Sequence, residues 1–222
     1  MVGLITLAVC SQFDIRSQSR CTDISKGFCT RWEQNGTVEE MMAGCFPATA
    51  KVFTFRGLVP MEELRRGDKI LAHVNGEEQF TTVTGWLHHE EQESDYLKLK
   101  FEEGSVMVSA KHNIATAKNT YSFADEASHV FGQGEIISVE KIKAKGLYAP
   151  KTESNNYYVF IDGTDADMML AHCFAHIRNP TFYEGMFSLV ESTWNLFDPS
   201  AVSHDVHPSY TWMQEKLTFL QE

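Results

Sequence analysis

The chain has 222 residues, enough for one domain of moderate size or one domain with a small appendage. Hydrophobic residues make up 43% and charged residues 22%, a composition that sustains a real core. The net charge of −11 excludes nucleic acid as a main partner, because phosphate binding needs a basic surface, and no apolar run approaches the roughly 20 residues that cross a bilayer.

Met1 to Cys10 is apolar, and reads either as a signal-peptide core without a basic n-region or as a buried N-terminal strand. Asn35-Gly36-Thr37 is a glycosylation sequon with meaning in a secretory setting, which makes Asn35 a candidate acceptor. The cysteines are Cys10, Cys21, Cys29, Cys45 and Cys173. An odd count with three ahead of Cys45 fits one N-terminal disulfide plus thiols kept for other purposes; it also fits five reduced, buried side chains. Residues 1–44 show little periodicity before a helical-looking run, Val38-Glu39-Glu40-Met41-Met42, that stops near Gly44. So short a lead segment buries little core alone and is expected to lean on the domain that follows.

From residue 45 to about 179 the signals are those of a β domain. Tyr96-Leu97-Lys98-Leu99-Lys100-Phe101 alternates, which puts Leu97, Leu99 and Phe101 on one sheet face. Glu102-Glu103-Gly104 reads as a turn into a strand at Ser105-Val106-Met107-Val108-Ser109. Tyr157 to Ile161 and Met168 to Phe174 form a second pair around Asp162-Gly163. Six or more short strands of this kind predict an all-β barrel or sandwich. After Pro180, Phe182, Met186, Val190, Trp194 and Phe197 recur at helical spacing, and Pro199 ends the run. A second helix is expected from Ser209 to Gln221, with Tyr210, Met213, Leu217 and Leu220 on one face and Trp212 and Phe219 on another. Such helices either cover a barrel face or meet a lipid. The expected domains are therefore a lead segment, 1–44, a β domain, 45–179, and a helical region, 180–222.

Gly44-Cys45-Phe46-Pro47, with Gly67-Asp68 and Leu71-Ala72 behind it, is the most specific stretch. It resembles the start of the self-cleaving C-terminal (Hog) domain of Hedgehog-type proteins, built on the Hint module shared with inteins. The resemblance covers roughly residues 44–222 and implies a Hint-type β fold with a C-terminal helical appendage. It implies that the Cys45 thiol attacks the Gly44 carbonyl, an N-to-S acyl shift that replaces the peptide bond with a thioester. Such a step needs an activated thiol, a proton for the departing amine and support for the oxyanion. Ser109-Ala110-Lys111-His112 is similar to the family's Thr-x-x-His motif, with serine for threonine. His112 would then give a proton to the leaving amine, and Ser109 would hydrogen-bond the scissile backbone. Ala171-His172-Cys173-Phe174-Ala175 resembles the family's late Cys-Tyr-Ala segment, which implies a Cys173 near Cys45 that accepts the acyl group, tunes the thiol or locks it in a disulfide; the plain alternative is a buried strand thiol.

The family's second step, attack of a sterol hydroxyl on the thioester, uses an aspartate where this chain has His88, with His89, Glu90 and Asp95 as the other candidates. The tail resembles the adduct-recognition region, which implies a sterol contacted by Phe182, Met186, Trp194, Tyr210, Trp212 and Leu217. The implied activity is a single-turnover cysteine autoprotease and sterol transferase acting in cis. It needs no cofactor, takes a cholesterol-like sterol as second substrate and its own N-terminal segment as first, and meets membrane lipid as a monomer in the secretory pathway. Water or a thiol could resolve the thioester instead. Splicing is not expected, since no terminal His-Asn pair closes the chain, and the lead segment is far shorter than a Hedgehog signalling domain. From another class, His172, Cys173 and His176, joined by Cys45, His88 or His112, have zinc-ligand chemistry, and a secreted binding module is a third reading. No Cys-x-x-Cys pair is present, however, and strand alternation turns His172 and Cys173 to opposite faces, so no metal is expected.

Overall fold

The computed structural model describes residues 19–25, 28–34, 37–39, 45–175, 177, 180–203 and 205–210. The chain divides into two compact units, Met1–Met41 and Met42–Glu222. The first holds an antiparallel sheet of β1 (Ser19–Ser25), β2 (Phe28–Gln34) and β3 (Thr37–Glu39), in that order. Val38 and Glu39, expected in a helical run, lie in β3 opposite Glu33 and Trp32. A run that short cannot meet the cost of helix nucleation, whereas a waiting strand edge supplies hydrogen bonds at once. Cys10, Asn35 and Gly44 lie outside the described residues, as do the side chains of Cys21 and Cys29.

Among its described residues the second unit is mostly β, with one long helix near its C-terminal end. Its main sheet starts with β4 (Lys51–Thr54), β5 (Gly57–Pro60) and β6 (Lys69–Val74). The long strand β7 (Glu77–Lys100) follows, then β8 (Ser105–Val108), β9 (Asn113–Ala117) and β10 (Thr120–Phe123). A small ribbon, β11 (His129–Val130) and β12 (Gly134–Glu135), leads to β13 (Ser138–Thr152), β14 (Asn156–Phe160) and β15 (Met168–His172). Across the sheet the order is β10-β9-β15-β14-β4-β6-β7-β13, with β5 on β4 and β8 on β7. Asn75 and Gly76, both at positive φ (54° and 92°), close the tight β6–β7 hairpin.

Two strands are far longer than the short strands expected. β7 and β13 pair antiparallel from Ser138 opposite Lys100 to Thr152 opposite Val83, with register shifts at Lys145/Leu147, Ala149/Pro150 and Lys151/Thr152. Each extra residue bends and twists the ladder, so one pair of strands wraps around the core where short strands would need a loop. Leu97, Leu99 and Phe101 are buried, as their alternation requires, among Val52, Ile70, Val83, Ile114, Val159 and Met169.

Helix α1 (Pro180–Phe197) forms where the apolar spacing places it, followed by a 3-10 turn, Pro199–Ser203. Glu184 meets His172, Phe187 stacks on Phe174, Glu191 accepts from the Tyr210 hydroxyl, and Asn195 meets His207. Met186 and Phe197, expected either to cover a barrel face or to meet a lipid, are exposed. Three polar contacts on the inner face outweigh the apolar periodicity and set the rotation of the helix. Residues 211–222, with Trp212 and Leu217, and the side chain of Phe182 lie outside the described residues.

Candidate active site

Cys45 and the residues after it are held by β13. Phe46 N–H donates to the Tyr148 carbonyl (2.9 Å), Tyr148 N–H donates back to the Phe46 carbonyl (3.0 Å), and Ala48 N–H donates to the Lys145 carbonyl (2.9 Å). The approach depends on Gly146, at φ +97°: a Cβ there would sit 2.8 Å from the Ala48 nitrogen. Lacking a side chain, glycine accepts both the positive φ and the close backbone.

The opposite wall is the turn between β8 and β9, closed by His112 N–H donating to the Ser109 carbonyl (3.1 Å). Ser109 and Cys45 bond each other twice. The Cys45 N–H donates to Ser109 Oγ (2.7 Å), and Ser109 N–H donates to the Cys45 carbonyl (3.0 Å). The amide nitrogen at the junction with Gly44 is therefore bonded to the serine that the sequence singled out. The His112 ring packs edge-on against Phe46 with centroids 4.6 Å apart, and Cys45, Ser109 and His112 are all buried. Asn113, which sequence reasoning passed over, donates through Nδ2 to the carbonyls of Phe174 and Ile177 (3.0 Å each). It ties this turn to the segment just after Cys173.

Burial raises the Cys45 thiol well above its ordinary pKa, and the Glu90 carboxylate raises it further. Cys45 and Cys173 are both free thiols. Cys173 follows the end of β15; its sulfur receives the Thr152 N–H and lies 3.4 Å from the Thr152 hydroxyl. Burial raises this thiol too, opposed by the Lys151 charge and the Thr152 bonds. His172 turns the other way: its Nδ1 accepts from Phe174 N–H (3.1 Å), so its Nε2 proton points to Glu184 (2.9 Å). Burial lowers the His172 pKa, and Glu184 works against that.

His88 lies on β7 opposite Ala149, half-buried, and the enclosure of its imidazole lowers its pKa to about 4. His89 stacks on Trp86 (4.5 Å) and faces Asp205 (3.7 Å). Asp95 pairs with Lys143 on the arm of β7 (3.9 Å). Glu90 is thus the carboxylate of this stretch whose charge is felt at Cys45. Of the residues named for the tail, Tyr210 is buried, Trp194 half-buried and Met186 at the surface. Among the described residues no three His, Cys, Asp or Glu side chains converge as metal ligands; His176 lies outside them.

Residues 33–133 match the family model of the Hint module, a span that holds Cys45, His88, Ser109 and His112 but not Cys173. Warthog protein 8 of Caenorhabditis elegans is 25% identical over 171 residues, covering 65% of this chain and 30% of that protein. The chain thus spans less than a third of that relative's length. A bacterial intein-like domain from Clostridium thermocellum is 21% identical, with a TM-score of 0.46, over 58% of this chain and 98% of that one. A DnaB intein from Synechocystis sp. PCC 6803 is 13% identical, with a TM-score of 0.45, over 58% of this chain and 98% of that one. The matched span contains Cys45, Ser109 and His112, the residues that meet at the junction described above. Residues 33–133 therefore carry the similarity to the Hint module, and the similarity to the Warthog protein extends it along 65% of the chain.

Proposed function

We propose that this chain cleaves its own Gly44–Cys45 bond through a thioester at Cys45. The observation that carries the reading is the Cys45 N–H donating to Ser109 Oγ at 2.7 Å. That nitrogen is the leaving group of an N-to-S acyl shift. In the first step the Cys45 thiol passes its proton to the His112 imidazole as its sulfur bonds to the Gly44 carbonyl carbon. The C–N bond then breaks, and the amine takes a proton from His112. Ser109 holds the amide in place, and its reciprocal bond to the Cys45 carbonyl fixes the residue on both sides of its Cα. Chemistry of this kind suits histidine, which holds or releases a proton near neutrality.

In the second step an alcohol attacks the thioester, and the segment ending at Gly44 leaves as its ester. A cholesterol-like sterol is the acceptor we favour. His88 is the base assigned to this step: lowered to about 4, its imidazole is neutral at physiological pH, and as a weak base it takes the hydroxyl proton only in passing. The negative charge that histidine lacks is available from Glu90, whose field already reaches Cys45. Cys173, bonded by Thr152, serves as the neighbouring thiol that tunes or caps the site. The exposed apolar side chains of α1 are the means by which lipid would be met.

Hydroxylamine tests the thioester: the chain is expected to split after Gly44 and leave a glycine hydroxamate, and His112→Ala to lose that reaction. Unchanged cleavage in His112→Ala would remove His112 from the first step. Incubation with and without sterol, followed by mass spectrometry of the N-terminal fragment, separates the acceptors. A mass gain of one sterol minus water on Gly44 supports transfer, and a free glycine acid means that water resolves the thioester.

A further inference from the structure

Tyr157 lies on β14, opposite Ala171 and two residues in register from the strand end that carries Cys173. Its ring meets Phe46, the residue after Cys45, edge-on with centroids 6.0 Å apart. The side chain is completely buried, and among the described residues its hydroxyl has no hydrogen-bond partner. A buried phenol in that position bears the full cost of leaving water with no bond in return. Phenylalanine would fill the same space without that cost. Retention of the hydroxyl is explained when it gains a partner in another state of the site.

Both cysteine sulfurs lie within electrostatic reach of this hydroxyl. Cys173 is already supplied with a donor, since Thr152 N–H points to its sulfur and the Thr152 hydroxyl lies at 3.4 Å. The Cys45 sulfur faces the charge of Glu90, which works against its ionisation. A thiolate formed there needs a hydrogen bond from a group that keeps its own proton. Tyr157 is such a group, because burial and the two neighbouring cysteines hold its phenol protonated.

We propose that Tyr157 is a further catalytic residue, a hydrogen-bond donor that turns to the Cys45 sulfur when its thiol ionises for attack. The proposal rests on the self-cleavage reading above and adds a residue to its first step. No bond to Tyr157 forms or breaks, and its proton stays on the phenol oxygen. The thiol proton goes to His112, which returns it to the leaving amine, as it would without Tyr157.

The test is Tyr157→Phe in the full chain, with cleavage induced by dithiothreitol and followed on gels, beside thermal melting of both proteins. The rate is expected to fall roughly 10- to 100-fold, the worth of one hydrogen bond to a charged group. The melting temperature is expected to stay level or rise, because an unpartnered hydroxyl has been removed. An unchanged rate overturns the proposal and leaves self-cleavage standing. A slower rate with a lower melting temperature also overturns it, since the hydroxyl would then be structural. Absence of thiol-induced cleavage in the wild type overturns the self-cleavage reading and this proposal together.

Discussion

Cys45 is a nucleophile placed where nucleophiles are hard to make. Burial and the Glu90 carboxylate both favour the neutral thiol, so the site must supply charge stabilisation at the moment of attack. What the resting structure supplies is a grip on the amide, through Ser109 on both backbone groups of Cys45. Ser109→Ala removes the acceptor for the leaving nitrogen and is expected to slow thiol-induced cleavage about 10-fold, with Ser109→Thr restoring it. Equal rates for serine and alanine would show that the bond holds structure only. His88 carries a separate consequence for stability. Its folded pKa of about 4 lies below the ordinary value of 6.5, so the unfolded chain takes up a proton that the folded chain refuses. Stability contributed this way is complete above pH 6.5 and is lost as pH falls towards about 4. Denaturant titrations across that range are expected to show a shallower decline for His88→Gln than for wild type; parallel curves would place the acid sensitivity elsewhere.

At the scale of elements, the site depends on how β13 departs from regular pairing. The shift between Lys145 and Leu147 brings Gly146 to positive φ and opens the space that Ala48 fills. Gly146→Ala is expected to cost about 1–3 kcal/mol from backbone strain, and to slow cleavage as Ala48 and Cys45 are pushed off the strand. Wild-type melting and wild-type cleavage in that variant would contradict this role for the close contact. Helix α1 shows a different dependence, on polar groups rather than apolar ones. Glu184, Glu191 and Asn195 turn inward to His172, Tyr210 and His207, and leave Leu189, Leu196 and Phe197 exposed. Sequence periodicity found the helix and left its rotation open, because a moment built from side-chain hydrophobicity cannot see a buried histidine paired with a carboxylate.

Across the whole molecule, the parts of the site that lie close together in the chain were legible first. Cys45 with its flanking glycine and proline, and Ser109 with His112 three residues on, are local patterns, and the fold brings them into contact through two backbone-directed bonds. The hairpin of β14 and β15 was equally legible, because alternation and an Asp-Gly turn mark it. Tyr157, Asn113 and Thr152 were not, since their roles come from partners 16 to 112 residues distant or from strands that meet only in the folded sheet, and a tyrosine in an alternating strand looks like any other core aromatic. The lengths of β7 and β13 were missed for a related reason: their bulges break the period-two pattern that marks a strand, while the ladder itself runs on. His88, set where the family resemblance implies an aspartate, is the point at which the reading of lipid transfer rests most on chemistry and least on pattern.

The central claim is that the Cys45 sulfur attacks the bond on its own N-terminal side. Intact-mass measurement of the full chain and of Cys45→Ala, each incubated with dithiothreitol, tests it directly. The wild type is expected to yield two fragments separated between Gly44 and Cys45, the N-terminal one released as its thioester or free acid, and Cys45→Ala to stay whole. Fragments of the same masses from Cys45→Ala, or a wild-type chain that stays intact while folded, would contradict it.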